Sequence, residues 1–371
     1  MKDMHGLIFA YDTNSRMREL IEHRTVSSIP FGGRYRVIDF MLSNMVNADV
    51  IDIGVVMRES YQSLLDHLGS GRDWDLARKR GGLRLLPPFG YAGVREGSYR
   101  GKMEALKHIS NYIQNSIRQE HVVLADGSLI ANLPLEEIYE RHLKTGCDIT
   151  CVCSASPVGL VEDETYLIEG RNGRVKEVII GRTELRAVEY LGVSIISRKL
   201  LESLVSYCGA HNMHDFERDV LQAMVDKLHI SAYIFGGHAA KLQSIAGFFN
   251  HSMKLLDPGV RADLFLKSRP IKTKVRDEAS AYYGAEAKIT NCMVADGCQI
   301  EGEAENCIIF RGVRIEKGAV VRNSVIMQNS KIGKNALINF VITDKDVVIT
   351  EGRTLTGHLN YPVAISKGSV V

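Results

Sequence analysis

From about residue 281 to the end of the chain, an apolar residue returns every six positions. One row is Val320, Ile326, Ile332 and Ile338; a second is Ile309, Ile315 and Val321; a shorter one joins Val294 and Ile300. Units such as Ile332-Gly-Lys-Asn-Ala336-Leu and Ile315-Glu-Lys-Gly-Ala319-Val place a small residue four positions after the aliphatic one. A parallel β-helix demands this pattern, because the aliphatic side chain fills the coil and the small residue lets the chain turn a tight corner. A β-sandwich would instead alternate with period two and turn every 8 to 12 residues or so. A C-terminal left-handed parallel β-helix of hexapeptide repeats is therefore expected over 281–371.

Residues 1–256 have another texture. Short apolar runs (Leu7–Ala10, Ile51–Val56, Val122–Ala125, Ile149–Cys153, Leu191–Ile196, Ile230–Phe235) alternate with amphipathic stretches. Met103, Leu106, Ile109, Ile113 and Ile117 recur at helical spacing, as do Phe216, Val220, Met224 and Leu228, with His214-Asp215 available as a cap. Strands alternating with helices imply an α/β domain with a mostly parallel sheet covered on both faces. Ligands of such sheets bind at the carboxyl ends of the strands, here the loops after Ala10, Val56 and Ala125. Residues 1–256 are read as this domain and 257–280 as a linker.

At 371 residues the chain is long enough for two domains. Lys and Arg number 46 against 44 Asp and Glu, so the net charge of +2 supplies no field for nucleic acid or an anionic membrane. The apolar run Gly6–Ala10 is too short for a signal peptide, and no stretch reaches the roughly 18 apolar residues of a membrane span. Seven scattered cysteines without a second pair at metal-ligand spacing read as small buried hydrophobes in a reducing compartment. A cytoplasmic protein is expected.

One run says more. Pro30-Phe-Gly-Gly-Arg-Tyr-Arg-Val-Ile-Asp-Phe-Met-Leu-Ser-Asn44 closely resembles the P-F-G-G-K-Y-R-I-I-D-F-x-L-S-N segment of bacterial glucose-1-phosphate adenylyltransferases, the ADP-glucose pyrophosphorylases. Tyr99-Arg-Gly101-Lys-Met-Glu-Ala105 resembles that family's Y-R-G-T-A-D-A, and Val122-Val-Leu-Ala-Asp126 its strand ending in the metal-binding aspartate. The likeness extends over essentially the whole chain. It implies a Rossmann-like, GT-A-like nucleotidyltransferase domain with a mixed sheet, and a place in glycogen biosynthesis.

The departures from the family pattern matter as much. Where the family has G-G-x-G-T-R-L after the first strand, this chain has Tyr11-Asp12-Thr-Asn14-Ser-Arg16-Met, and no glycine occurs between Gly6 and Gly32. Such glycines let backbone N–H groups approach a triphosphate, and Asp12 adds a negative charge. Arg16 alone is kept. Val26 replaces the lysine of R-A-K-P, and Lys241 takes the place of the second metal-binding aspartate, where an ammonium repels the ion. On the sugar-phosphate side, Tyr166 stands for a glycine and Tyr190 for a serine, while Tyr99 and Gly101 remain. Phosphoryl transfer relies on positioning and charge neutralisation, usually with Mg²⁺.

Together these losses resemble the GlgD-type regulatory, non-catalytic subunit, with Asp126 and Arg16 as residual site residues. The resemblance implies a hetero-oligomer, by family analogy a tetramer, with a catalytic subunit. It implies no required cofactor, Mg²⁺ entering through Asp126 only if nucleotide binding survives. Arg34 replaces a family lysine associated with an allosteric sugar-phosphate activator, so Arg34 and Arg36 are the expected effector residues for a sugar phosphate or nucleotide. One alternative is an active adenylyltransferase, making ADP-glucose and pyrophosphate from ATP and glucose 1-phosphate with Lys241 or Arg182 doing the charge work. Another is an acyltransferase, for which His358 is the one histidine after residue 280. A ligand sensor without a partner is the third.

Overall fold

The computed structural model describes residues 3–11, 15–58, 60–87, 99–156, 158, 164–170, 173–181 and 186–371. Two compact units form, and both are discontinuous in sequence. The first comprises residues 1–12, 40–241 and 266–272; the second comprises 13–39, 242–265 and 273–371. The division expected at residue 256 ran along the chain, and these units cross it. The stretch read as a linker opens with a helix, Pro258–Leu264, whose Asp257 side chain caps the Gly259 N–H.

The first unit is built on a nine-stranded sheet. Its path runs Val175–Ile180, Thr165–Glu169, Val188–Ser197, His121–Asp126, Met4–Phe9, Asp52–Val56, Gly82–Leu86, with Ile149–Ser154 and Ile230–Phe235 joined through Val188–Ser197. Met4–Phe9 runs parallel to both neighbours, but Val188–Ser197 lies antiparallel to His121–Asp126, so the sheet is mixed rather than mostly parallel. Every residue of Met4–Phe9 and Asp52–Val56 is buried, which explains their mostly apolar sequence; the buried exceptions, His5 and Asp52, lie 3.6 Å apart across the pair. The stripe from Met103 to Ile117 follows two consecutive helices, Lys102–His108 and Ser110–Ser116, with Ile109 and Ile117 as their C-caps, and its residues are buried against the sheet. The segment expected as an α-helix after Asp215 instead forms a π-helical turn, Glu217–Gln222, with Phe216, Val220 and Leu221 in the same core. Asp215 does act as a cap there, accepting the Arg218 N–H at 2.7 Å.

The second unit contains five β-helical coils, seen as three parallel sheets of five strands each. Ile300, Ile309, Ile315, Val321, Ile326, Ile332, Ile338 and Ile349 fill its interior, and Ala319 and Ala336 are fully buried beside them. Each such aliphatic side chain contributes about 1.5–3 kcal/mol by leaving water. One detail departs from the expected rows. Val320 is only half-buried; Val321 is the inward residue, in register with Ala304 and Ile338. The two rows are thus one continuous series, 309-315-321-326-332-338, with a single step of five at a corner. Asn291, Asn306 and Asn323 turn equivalent corners at positive φ, and their side-chain amides hydrogen-bond in a ladder that ends on Asn339. This is the left-handed hexapeptide β-helix. Among the described residues no helix is long and apolar enough to cross a membrane.

Candidate functional site

In the first unit the carboxyl ends of Met4–Phe9 and His121–Asp126 lie side by side, with Phe9 paired to Asp126. Tyr11, two residues past this strand end, is buried and packs edge-on against Phe9 and against Tyr99, with ring centroids 5.9 and 5.4 Å apart. Two aromatic rings therefore meet just past the strand end, where a phosphate-binding loop would use bare glycine backbone. Asp12 and Asn14 fall outside the described residues.

Asp126 faces a cation supplied by the chain itself. Lys102 Nζ lies 2.8 Å from Asp126 Oδ1 and 2.5 Å from Glu217 Oε1, above the rings of Phe9 and Tyr190. Burial alone would lower the Lys102 pKa, but Asp126 and Glu217 outweigh it and hold the ammonium well above its ordinary value. Gly192 makes room for this arrangement: it sits at φ +77°, and a Cβ there would overlap the Asp126 carboxylate. Gly101 is likewise fixed by packing. Its backbone is extended, and a Cβ would run into the His214 carbonyl oxygen. That carbonyl accepts the Met103 and Glu104 N–H groups, closing the N-terminus of the helix.

Lys241 makes a second internal ion cluster. Its strand, Ala239–Lys241, pairs with Leu129–Ala131. The ammonium binds Glu164, lies 3.1 Å from Glu189 Oε1 and donates to the Tyr190 carbonyl at 2.7 Å. Both carboxylates are buried, Glu189 to 2% residual exposure. Burial opposes the charge on Lys241, yet the two glutamates raise its pKa. The six side chains of the two clusters comprise two ammoniums and four carboxylates, a formal charge of −2. A divalent cation does not fit this donor set: an ammonium already occupies the near side of Asp126, and the second acidic position is a lysine. Among the described residues no group of three or more His, Cys, Asp or Glu is placed to hold a metal ion.

The second unit carries the remaining expected positions. Arg16 lies exposed on the turn Ser15–Met17, and Val26 is buried in the turn Val26–Ser28. Arg34 is exposed over the ring of Tyr35, which stacks on Phe265. Arg36 takes part in a cation cluster with Arg24, Lys345 and Lys367. Arg24 is buried and paired with buried Asp344, and its Nη1 has no hydrogen-bond partner among the described residues. Burial, followed by Arg36 and Arg24, pushes the Lys345 pKa down to about 7, with Asp344 opposing. Arg36, Arg24 and Lys367 act on Lys345 with Asp344 as the opposing carboxylate, an arrangement suited to an anion. His358 is exposed in a tight turn closed by hydrogen bonds with Tyr361.

Comparison with known proteins fits this architecture. The family model for nucleotidyl transferases matches residues 6–179, and that for the GlmU-like C-terminal hexapeptide matches residues 275–358. The glycogen biosynthesis protein GlgD of Bacillus subtilis (strain 168) is 34% identical over 369 residues, covering 99% of this chain and 96% of that protein. This chain belongs to the GlgD family. The GlgD of Geobacillus stearothermophilus is 36% identical over 322 residues, 86% of this chain and 82% of its own length. The glucose-1-phosphate adenylyltransferase of the same organism is 31% identical over 326 residues, 85% and 82% respectively.

Within this GlgD-family chain, the structure brings together Tyr11, Tyr99, Gly101 and Asp126 in the first unit. It gives Lys241 a set of partners distinct from those of Asp126. Lys102 and Glu217, and the Glu164–Glu189 pair, were not anticipated from sequence. Lys102 left a signal, since it stands where the adenylyltransferase motif has threonine. Lys345 and Lys367 left none beyond their charge.

Proposed function

We propose that this chain is a regulatory, catalytically degenerate subunit of ADP-glucose pyrophosphorylase, acting in glycogen biosynthesis on a catalytic partner subunit in the cytoplasm. The observation that carries the reading is the internally paired strand end: Lys102 and Lys241 are consumed by internal carboxylates, and Tyr11 and Tyr99 fill the space past the first strand. An ATP triphosphate would meet four carboxylates offset by only two ammoniums. Like charges at about 4 Å cost about 4 kcal/mol at an effective dielectric near 20, so one uncompensated contact weakens binding by roughly three orders of magnitude. On this reading the protein requires no Mg²⁺. The alternative, an active adenylyltransferase with rewired ligands, needs Lys241 as a charge donor, and Lys241 is held by two glutamates and a backbone carbonyl; Arg182 lies outside the described residues.

Two similar proteins of Geobacillus stearothermophilus, a GlgD and an adenylyltransferase, support a two-subunit arrangement. By family analogy the proposed assembly is a hetero-tetramer. The cluster of Arg24, Arg36, Lys345 and Lys367 is the proposed seat of a sugar-phosphate or nucleotide effector, with exposed Arg34 as a further contact. Effector binding would then bias the conformational equilibrium that the partner shares.

The test is an assay of the purified chain alone with ATP, glucose 1-phosphate and Mg²⁺. The expected kcat is at least about a thousandfold below the enzyme median of about 10 s⁻¹. A value near that median would overturn the reading.

A further inference from the structure

Two cysteines of the β-helix stand one above the other on adjacent coils. Thr290 pairs with Glu305 and Met293 with Ile308, so the two-residue corners Asn291-Cys292 and Asn306-Cys307 are superimposed. Three hydrogen bonds pin the match: Asn291 Nδ2 donates to Asn306 Oδ1 at 2.7 Å, the Met293 N–H to the Cys307 carbonyl at 2.9 Å, and the Asn306 N–H to the Thr290 carbonyl at 3.0 Å. Neighbouring strands lie about 4.8 Å apart, inside the 4.4–6.8 Å or so of Cα separation that a disulfide spans.

Access to the two thiols differs. Cys292 is half-buried and lines a cavity of about 500 Å³ with Tyr283, Ala287, Ile289 and Val294 at the first coil. Cys307 is fully buried behind it, in the core of the helix. The Cys307 thiol donates to the Glu305 and Val321 carbonyls and the Cys292 thiol to the Thr290 carbonyl. The neighbouring Cys307 side chain brings the Cys292 pKa down to about 7 against the effect of burial, while burial and then Cys292 push Cys307 well above the usual thiol range. Cys292 therefore has the character of an attacking sulfur. Cys151 has the opposite character: burial pushes it up to about 12.

We propose that Cys292 and Cys307 form a reversible two-electron redox site that reacts with a hydroperoxide and closes the first coil onto the second as a disulfide. The Cys292 thiolate attacks the terminal peroxide oxygen; the O–O bond breaks, and the departing oxide takes up the proton lost by the thiol, leaving Cys292 as a sulfenic acid. The Cys307 sulfur then attacks the sulfenic sulfur; the S–O bond breaks, and hydroxide leaves as water with the Cys307 proton. In sum, two thiols and one hydroperoxide give one disulfide, one water and one alcohol, or a second water when the oxidant is hydrogen peroxide. A thiol reductant reverses it.

The test uses the full-length reduced protein, treated with equimolar hydrogen peroxide, alkylated, and mapped by mass spectrometry. The expected product has five alkylatable thiols in place of seven and one crosslinked peptide joining Cys292 to Cys307, and dithiothreitol restores the original state. Cys292→Ser should abolish the crosslink, and Cys307→Ala should leave a dimedone-reactive sulfenic acid on Cys292. Should the buried Cys307→Ala variant fail to fold, the half-buried Cys292→Ser variant and the wild-type map decide the matter. A crosslink between any other pair, or sulfinic acid on Cys292 with Cys307 still free, would overturn the proposal.

Discussion

Replacing Lys241 by methionine should cost about 3–5 kcal/mol of stability, because it removes the ammonium that the buried Glu164 and Glu189 share. Urea denaturation of the isolated protein reads the loss directly. The pH dependence has a definite sign. The Lys241 pKa is raised in the folded state, so its stabilisation is fully present below the unfolded lysine value of about 10.4. That contribution fades only as pH rises above that value through the folded pKa. The wild-type advantage over the variant should accordingly stay flat across neutral pH and shrink in strong alkali. An unchanged midpoint in the variant would mean that the cluster does not hold the strand Ala239–Lys241 in place.

Asp344→Asn should be comparably destabilising, by about 3–5 kcal/mol, since it removes the carboxylate that pairs with Arg24 and opposes the cations around Lys345, and leaves the buried guanidinium of Arg24 uncompensated. Here an added anion should help. Sulfate, doubly charged throughout the neutral range, should raise the melting temperature of Asp344→Asn more than that of wild type, because it takes the place of the missing carboxylate. For the wild type, Lys345 sets the pH dependence. Its folded pKa lies near 7, so the residue gains its charge as pH falls through that value. Sulfate binding should therefore tighten between pH 8 and pH 6 and lose that slope in Lys345→Met. Equal sulfate responses in Asp344→Asn and wild type would argue against an anion seat here.

Much of this architecture is written locally. The six-residue return of Ile and Val specifies the β-helix because every coil repeats one local problem, filling an interior and turning three corners. The step from Val321 to Ile326 escaped because a single five-residue spacing is invisible until register with Ala304 and Ile338 is known. Apolar runs likewise marked the strands of the sheet, but not that Val188–Ser197 runs against His121–Asp126, since strand direction leaves no trace in composition. The candidate site was legible as a set of departures: Tyr11 for glycine, Lys241 for aspartate. The partners of the replacing side chains were not legible. Lys102 meets Glu217 from 115 residues away and Lys241 meets Glu164 from 77, and only tertiary structure juxtaposes such charges. The π-helical turn that carries Glu217 also read as an ordinary helix, because its apolar spacing is helical on either reading.

On the proposed reading the chain keeps its fold while its own charges fill the place of a substrate. The most direct test is a titration of a catalytic ADP-glucose pyrophosphorylase subunit with this protein, following ADP-glucose formation against activator concentration. The account predicts that co-assembly shifts the partner's kcat, KM or activator response by the roughly 5- to 150-fold range of typical coupling energies, while this chain alone stays silent. A partner whose kinetics are the same with and without the co-assembled chain would contradict it.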